Sequence, residues 1–175
     1  VEPLADAILY AWQPGTEGGT AIAKVLYGRA NPSGKTTMSF PRAVGQCPIY
    51  YNHFNTGRPK RNDDKPSGSF GFTSSYLDEL NSPLYPFGYG LSYTEFEYSD
   101  FKLSSDKMNK GGKIRASVKV KNVGGANGKE VVEWYIHDKF ASCARPVLEL
   151  KGFEKIFLKA GEEKTVTFDI TEDTL

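Results

Sequence analysis

Two short polar stretches of this sequence contain residue types that bind ligands. The first spans residues 50–59 and has the sequence YYNHFNTGRP. Tyr50 or Tyr51 provides an aromatic ring on which a sugar can stack, while Asn52, His53, Asn55 and Arg58 provide hydrogen-bonding groups for a polyhydroxylated ligand. The candidate substrate-proximal side chains are Tyr51, Asn52, His53 and Arg58. A histidine in a polar loop is more often a surface residue, so a plain surface loop is the alternative interpretation.

The second stretch, Asn31–Thr36, ends like a phosphate-binding loop, but its spacing is wrong. Five residues separate Gly28 from Gly34 where a Walker loop has four, a proline lies among them, and the stretch follows a helical pattern instead of a strand. A phosphate cradle needs consecutive free N–H groups. The run Gly88-Tyr89-Gly90 lacks the third glycine of a dinucleotide fingerprint. The sequence therefore predicts no nucleotide and no other cofactor.

The sequence also predicts no metal site. Asp63 and Asp64 are adjacent, but no histidine or third ligand lies near them. They belong to the run 60–65, whose mixed charges predict a solvated loop tip. Cys47 and Cys143 lie far apart and neither is part of a Cys-x-x-Cys pair, so we expect two buried free thiols.

Charge and composition exclude two classes of partner. The 22 Lys and Arg residues nearly balance the 21 Asp and Glu residues, which leaves a net charge of +1 and argues against nucleic-acid binding. No run approaches the roughly 20 apolar residues that cross a bilayer, so no membrane partner is predicted. The aromatic share of 13% fits both sugar stacking and a β-rich core.

The elements of the first half follow an α/β pattern. Ala5–Trp12 is a short apolar run and predicts a buried strand of a parallel sheet. Apolar residues recur at helical spacing over Thr20–Tyr27, with Glu17 near the predicted N-terminus and Gly28 at the end. The alternating run Thr36–Phe40 predicts a strand that joins the sheet.

A connector rich in aromatic residues and glycines separates the two halves. Tyr85–Thr94 interleaves four aromatic residues with two glycines and a proline, which rules out a continuous helix and favours a turn packed between two bodies. The predicted domains are an α/β domain portion with a long loop at 1–84, the connector at 85–95, and a β-domain at 96–175.

The second half has the period of two that strands require. Trp134 lies in mid-strand and should fill the core, while His137 and Asp138 close that strand. Five strands at this spacing indicate a β-sandwich, although a seven-strand sandwich needs two more, so we expect both domains to be incomplete. The predicted strands are Phe96–Leu103, Ile114–Val120, Val131–Ile136, Val147–Leu158 and Thr165–Ile170.

An ordered set of motifs carries a family resemblance. Together the motifs closely resemble the C-terminal region of family three glycoside hydrolases, particularly the bacterial periplasmic β-glucosidase type. They cover nearly the whole chain. The motifs are WQPGTEGG at 12–19, NPSGK at 31–35, FPR at 40–42, YYN at 50–52, TGRP at 56–59, YPFGYGLSY at 85–93, RP at 145–146 and LKGF at 150–153.

The resemblance implies an α/β sandwich-domain portion followed by a fibronectin type III-like sandwich, with a TIM-like barrel upstream in the same polypeptide. Family members hydrolyse β-linked glucosides with retention, through one nucleophilic and one acid/base carboxyl group. The resemblance places both groups before Val1, so no catalytic residue is assigned in this chain. Glu17 matches a structural turn of the family and not its acid/base segment.

The resemblance also implies partners and a location. The ligand would be a β-glucoside or a short oligosaccharide bound by the full-length enzyme, which could form a homodimer. The compartment would be the periplasm or the exterior. The alternative from another class is a free-standing carbohydrate-binding or adhesion module built on the fibronectin-like half.

Overall fold

Regular secondary structure is concentrated after residue 95 in the computed structural model, which describes residues 2–60, 63, 65–66 and 71–175. Among the regular elements of the described residues, strand residues outnumber helical residues, as predicted for this fold class. Short 3-10 helices span Glu2–Leu4, Val44–Gln46 and Glu172–Thr174. The longer elements are α1 (Gly18–Leu26), β1 (Phe96–Leu103), β2 (Ile114–Asn122), β3 (Gly128–Ile136), β4 (Glu149–Leu158) and β5 (Glu163–Ile170).

Helix α1 confirms the helix predicted from the periodicity of residues 20–27. Glu17 is its N-cap residue, and its side chain makes no capping hydrogen bond. The helix ends because Gly28 takes a φ of +67°, a left-handed conformation that glycine adopts without steric cost. The N–H group of Gly28 then donates to the carbonyl of Val25 at 2.9 Å.

The predicted parallel strand Ala5–Trp12 is wrong. These residues are described and form no strand. Ile8, Tyr10 and Trp12 are each at least half exposed, so the run is apolar without being buried. A parallel strand needs hydrogen bonds to a neighbouring strand and cover on both faces, and the part of the chain that the structure describes supplies neither here.

The segment Thr36–Phe40, predicted as a strand, forms no strand and pairs with the connector instead of a sheet. Phe40 forms an antiparallel bridge with Tyr85. At the other end, Thr36 N–H donates to the Tyr89 carbonyl and Gly88 N–H donates to the Thr36 carbonyl, both at 2.8 Å. The connector is thus fixed to the first half by backbone pairing.

The second half forms two antiparallel sheets, and all five predicted strands are confirmed. One sheet has the order β1-β2-β5 and the other pairs β3 with β4. Strand β1 contains an irregularity between Ser99 and Lys102, where Asp100 has a φ of +52°. The two sheets pack face to face, as in a β-sandwich.

The core lies between these sheets. Its buried members come from β2, β3, β4 and β5, and Phe96 and Trp134 pack against them. Trp134 also stacks on Phe168, with ring centroids 5.8 Å apart, which fits its predicted place in the core. Burying an aliphatic side chain contributes about 1.5–3 kcal/mol. The buried members are Val118, Val120, Val132, Ile156, Leu158 and Val166.

Two predictions about the loops need correction. Cys47 and Cys143 are free thiols as expected, but both are exposed instead of buried, because both lie in irregular surface segments. Asp63 is not simply part of a solvated tip, since its carboxylate accepts backbone N–H bonds from Asn81 at 2.8 Å and Ser82 at 2.6 Å. Arg61, Asn62 and Asp64 of the same predicted tip lie outside the described residues.

Hydrogen bonding explains the charge state of Asp63. Burial raises the pKa of its carboxyl group, but the bonds from Asn81 and Ser82, with a further bond from Lys60, outweigh burial and hold the pKa below its ordinary value. The carboxylate therefore ties the loop to the segment that precedes the connector.

A polar seam joins the two halves beside the connector. Lys35 Nζ donates to the Gly90 carbonyl at 3.0 Å and pairs with Glu130 Oε1 at 3.2 Å. Tyr98 Oη donates to the same Glu130 oxygen at 3.0 Å. The lysine that suggested a phosphate-binding loop thus pairs with a carboxylate of the β-domain, which satisfies both charges.

Candidate functional site

The loop 50–58, which holds the four candidate residues, docks on the segment that leads into β4. Val147 N–H donates to the His53 carbonyl at 2.9 Å, and Leu150 N–H donates to the Tyr51 hydroxyl oxygen at 3.4 Å. Phe54 forms an antiparallel bridge with Pro146. The second half of the chain therefore fixes the conformation of a loop that belongs to the first half.

The Tyr51 side chain packs at the centre of this contact. Its ring stacks on Phe87 of the connector, with centroids 4.3 Å apart and an angle of 27° between the planes. Tyr135 of β3 approaches it edge-on, at 5.8 Å and 76°. Aromatic pairs in these geometries are favourable beyond the area they bury. The ring is half-buried and joins the loop, the connector and the β-domain.

Tyr135, which contacts the Tyr51 ring, is itself held by a hydrogen bond to a carboxylate. Tyr135 Oη donates to Glu133 Oε2 at 2.6 Å. Burial, and after it this bond to the Glu133 carboxylate, raises the pKa of Tyr135 above its ordinary value, so the phenol stays protonated and remains a donor. Gly88, with a φ of +79°, lies against the same carboxylate, and a Cβ at that position would collide with it. Glycine therefore lets the connector approach the pair.

The other three candidates remain accessible. Asn52, His53 and Arg58 are exposed. His53 Nδ1 lies 3.0 Å from the carbonyl oxygen of Phe54, which holds the ring against the backbone of the next residue. The Arg58 guanidinium lies 5.9 Å from the ring centroid of Phe72, a cation–π arrangement. Beyond the anchored Tyr51, the loop thus presents an amide, an imidazole and a guanidinium to solvent.

Sequence reasoning missed the residues that hold this loop. Val147 and Leu150 act through their backbone N–H groups, which no residue type reveals. Tyr135 and Glu133 were part of a predicted strand, without a role of their own. The only signal was the motif around Pro146, which stands in the same ordered set as the loop motif although about ninety residues separate them.

The remaining chemistry of the chain lies away from the loop. Glu17 is exposed at the start of α1. Within the described ranges, no group of three or more His, Cys, Asp or Glu side chains could hold a metal ion. A groove of about 460 Å³ follows α1 and Arg29. A cleft of about 270 Å³ lies between β1 and β3.

No helix among the described residues has both the length and the apolar character to cross a bilayer.

Comparison with known families divides the chain where the fold changes. Residues 1–93 match the glycosyl hydrolase family 3 C-terminal domain. Residues 130–175 match a fibronectin type III-like domain. The first match ends within the connector and the second begins in β3, so β1 and β2 fall between them.

Curated relatives match almost the entire chain. A periplasmic beta-glucosidase of Salmonella typhimurium is 58% identical over 171 residues, which are 98% of this chain and 22% of that protein. A thermostable beta-glucosidase B of Acetivibrio thermocellus is 46% identical, over 94% of this chain and 21% of its own length. A putative beta-xylosidase of Formosa agariphila is 43% identical, over 98% and 21% respectively. The chain spans about a fifth of the length of these relatives.

Solved structures agree with the sequence relatives. The beta-glucosidase from Listeria innocua in complex with glucose superposes with a TM-score of 0.89 at 48% identity, over 99% of this chain and 24% of that one. This one structure covers the loop, the connector and both sheets, and more than half of the residues of this chain match the family model. This chain therefore belongs to glycosyl hydrolase family 3, as its C-terminal region followed by a fibronectin type III-like domain.

Proposed function

We propose that this chain is the C-terminal portion of a β-glucosidase-like retaining glycoside hydrolase that removes terminal β-D-glucosyl residues. Its catalytic carboxyl groups are supplied by the part of the polypeptide that precedes Val1. The similarity to beta-glucosidases over 98% of the chain, at up to 58% identity, carries this proposal. The ligand is a β-glucoside or a short oligosaccharide, and the upstream barrel is the partner that completes the site.

Within that enzyme, the loop 50–58 forms part of the wall of the substrate site. Asn52, His53 and Arg58 present the hydrogen-bonding groups that sugar hydroxyls require. Tyr51 holds the loop in place through Phe87 and Tyr135. This division of roles is supported by the exposure of the first three side chains and by the packing of the Tyr51 ring.

The domain limits predicted from sequence are retained in this proposal. They assign 1–84 to the α/β domain, 85–95 to the connector and 96–175 to the β-domain. A periplasmic or secreted location is supported by the word periplasmic in the name of the Salmonella typhimurium relative. A homodimer remains a prediction, and light scattering on the full-length protein tests it.

Turnover of p-nitrophenyl β-D-glucoside tests the proposal. The 175-residue chain should release no p-nitrophenol, because a retaining mechanism needs two carboxyl groups about 5–5.5 Å apart on either side of the bond. The full-length polypeptide should release it, and NMR should show β-glucose as the first product. Turnover by the isolated chain would contradict the proposal.

A binding titration separates the proposal from the alternative module. Calorimetry of the 175-residue chain with glucose and with cellobiose should show no saturable heat, because the loop 50–58 is only one wall of the site. Saturable binding by the chain alone would favour a free-standing carbohydrate-binding module instead.

A further inference from the structure

One carboxylate of the β-domain, that of Glu133, borders both groups that hold the Tyr51 ring. On one side, the Tyr135 hydroxyl donates to Glu133 Oε2 at 2.6 Å, and the Tyr135 ring meets the Tyr51 ring edge-on. On the other side, Gly88 of the connector lies against the same carboxylate, and Phe87, its neighbour in the chain, stacks on Tyr51. The Glu133 side chain is therefore placed to control both aromatic neighbours of Tyr51.

Strand β3 directs this carboxylate away from the core of the β-domain. Val132 is a buried member of the core and Trp134 packs against it. Because side chains alternate between the two faces of a strand, Glu133 and Tyr135 share the opposite face. That face meets the connector and the loop. Both residues stand on a strand of a sheet, so their backbone positions do not depend on the loop.

The hydrogen bond fixes the direction of the Tyr135 ring. A bond between a hydroxyl group and a carboxylate is short and stronger than a bond between neutral groups, and the length of 2.6 Å lies in that range. With its hydroxyl held by Glu133, the ring keeps its edge towards Tyr51. The arrangement needs an acceptor oxygen at position 133, which an amide side chain also supplies.

We propose that Glu133 is a positioning residue for substrate binding. Through Tyr135 and Gly88 it fixes the Tyr51 ring, and through that ring it fixes the exposed side chains of the loop 50–58. A residue of the fibronectin type III-like domain thus sets the affinity of the enzyme for its sugar without touching it. This inference rests on the proposed function, in which the loop forms part of the wall of the substrate site.

Kinetics of the full-length enzyme with p-nitrophenyl β-D-glucoside test the proposal. Glu133→Ala removes the acceptor and should raise the KM about fivefold, the effect of one lost hydrogen bond. The kcat should change less than about twofold, because the catalytic carboxyl groups lie elsewhere. Tyr135→Phe keeps the ring, loses the donor and should raise the KM in the same way. Glu133→Gln keeps an acceptor oxygen and should restore the wild-type KM.

Tyr98→Phe is the matched control. Tyr98 also donates its hydroxyl to a carboxylate of β3, that of Glu130 at 3.0 Å, but within the described residues its ring has no aromatic contact with Tyr51. The variant should keep the wild-type KM. Hydrogen exchange of residues 52–58 should speed up in Glu133→Ala and stay unchanged in Tyr98→Phe.

The failure of this inference differs from the failure of the proposed function. A full-length wild-type enzyme that releases no p-nitrophenol would refute the proposed function, and this inference with it. In an active enzyme, a KM that is unchanged in both Glu133→Ala and Tyr135→Phe would overturn this inference alone. A fall in kcat at constant KM would do the same, since it indicates a smaller fraction of folded enzyme and a purely structural role.

Discussion

At the scale of single residues, the polar side chains of this chain hold its halves together. Lys35 pairs with Glu130, and their side chains are only 18% and 10% exposed. Asn122 is fully buried, and its side-chain oxygen accepts a bond of 2.6 Å from Thr94 Oγ1 of the connector. Buried polar groups need such partners, since each unpaired group costs free energy. These residues fix how the connector sits on the β-domain.

The first prediction concerns the Lys35–Glu130 pair. Lys35→Met should lower the free energy of unfolding by about 2 kcal/mol, because it leaves a largely buried carboxylate without its cation. Urea unfolding followed by circular dichroism measures the change. The double variant Lys35→Met with Glu130→Gln should recover part of the loss, because no uncompensated charge then remains.

Lys113→Met is the matched control for that prediction. Lys113 pairs with Asp169 at 2.9 Å, but its side chain is 58% exposed and Arg115 also binds the same carboxylate. The unfolding midpoint should therefore hardly change. An equal effect of the two lysine substitutions would show that the Lys35 pair has no special structural role.

At the scale of elements, the loop 50–58 is ordered by a neighbour distant in sequence. It takes its fixed points from Pro146, Val147 and Leu150, just before and inside β4. Its one half-buried aromatic ring, Tyr51, lies between the connector and β3. A long loop anchored in this way keeps its exposed side chains in constant positions, which a binding site requires.

The second prediction concerns this anchor. Tyr51→Ala should cost about 2 kcal/mol of stability, since it removes a half-buried ring from between two aromatic neighbours. Tyr51→Phe keeps the ring and loses only the bond from Leu150 N–H, so it should cost less than about 1 kcal/mol. Hydrogen exchange of residues 52–58 should speed up in Tyr51→Ala.

Tyr50→Ala controls for the loss of any tyrosine from the loop. Tyr50 is 62% exposed and has none of the ring contacts found for Tyr51 among the described residues. Its removal should change neither stability nor exchange measurably. The anchoring role of Tyr51 would be refuted by similar exchange rates in the two alanine variants.

At the scale of the whole molecule, close backbone approach joins the two halves. Gly90 of the connector lies so near the Gly34 carbonyl that a Cβ would collide with that oxygen and come within 3.2 Å of the Lys35 side chain. The obstacle is backbone, which does not yield as a flexible side chain does. The halves are therefore expected to unfold in one cooperative step.

The third prediction follows from this contact. Gly90→Ala should separate the first half from the connector, so that Trp12 and Trp134 report different unfolding midpoints in single-tryptophan variants. In the wild-type background the two midpoints should coincide. Gly34→Ala is the control, because a Cβ there meets nothing within 4 Å, and it should keep the midpoints together. Coincident midpoints in Gly90→Ala would contradict the prediction.

The sequence by itself determined the elements whose stability is local. The five strands of the β-domain were predicted from a period of two, and α1 from helical spacing closed by Gly28, because these patterns follow from backbone geometry within each segment. The ordered motifs determined the family. The strand predicted at Ala5–Trp12 was wrong, because an apolar run carries no information on whether a neighbouring strand exists to pair with it.

Only the tertiary structure decided which distant groups meet. In the folded chain, Lys35 pairs with a carboxylate of β3 and the Tyr51 ring lies between Phe87 and Tyr135. The Val147 N–H group donates to the His53 carbonyl. Backbone groups carry no sequence signal, and a side chain has the same type whether it meets solvent or a partner a hundred residues away. The chemistry of the loop was therefore visible in the residue types, whereas its fixed geometry came from the packing of two domains.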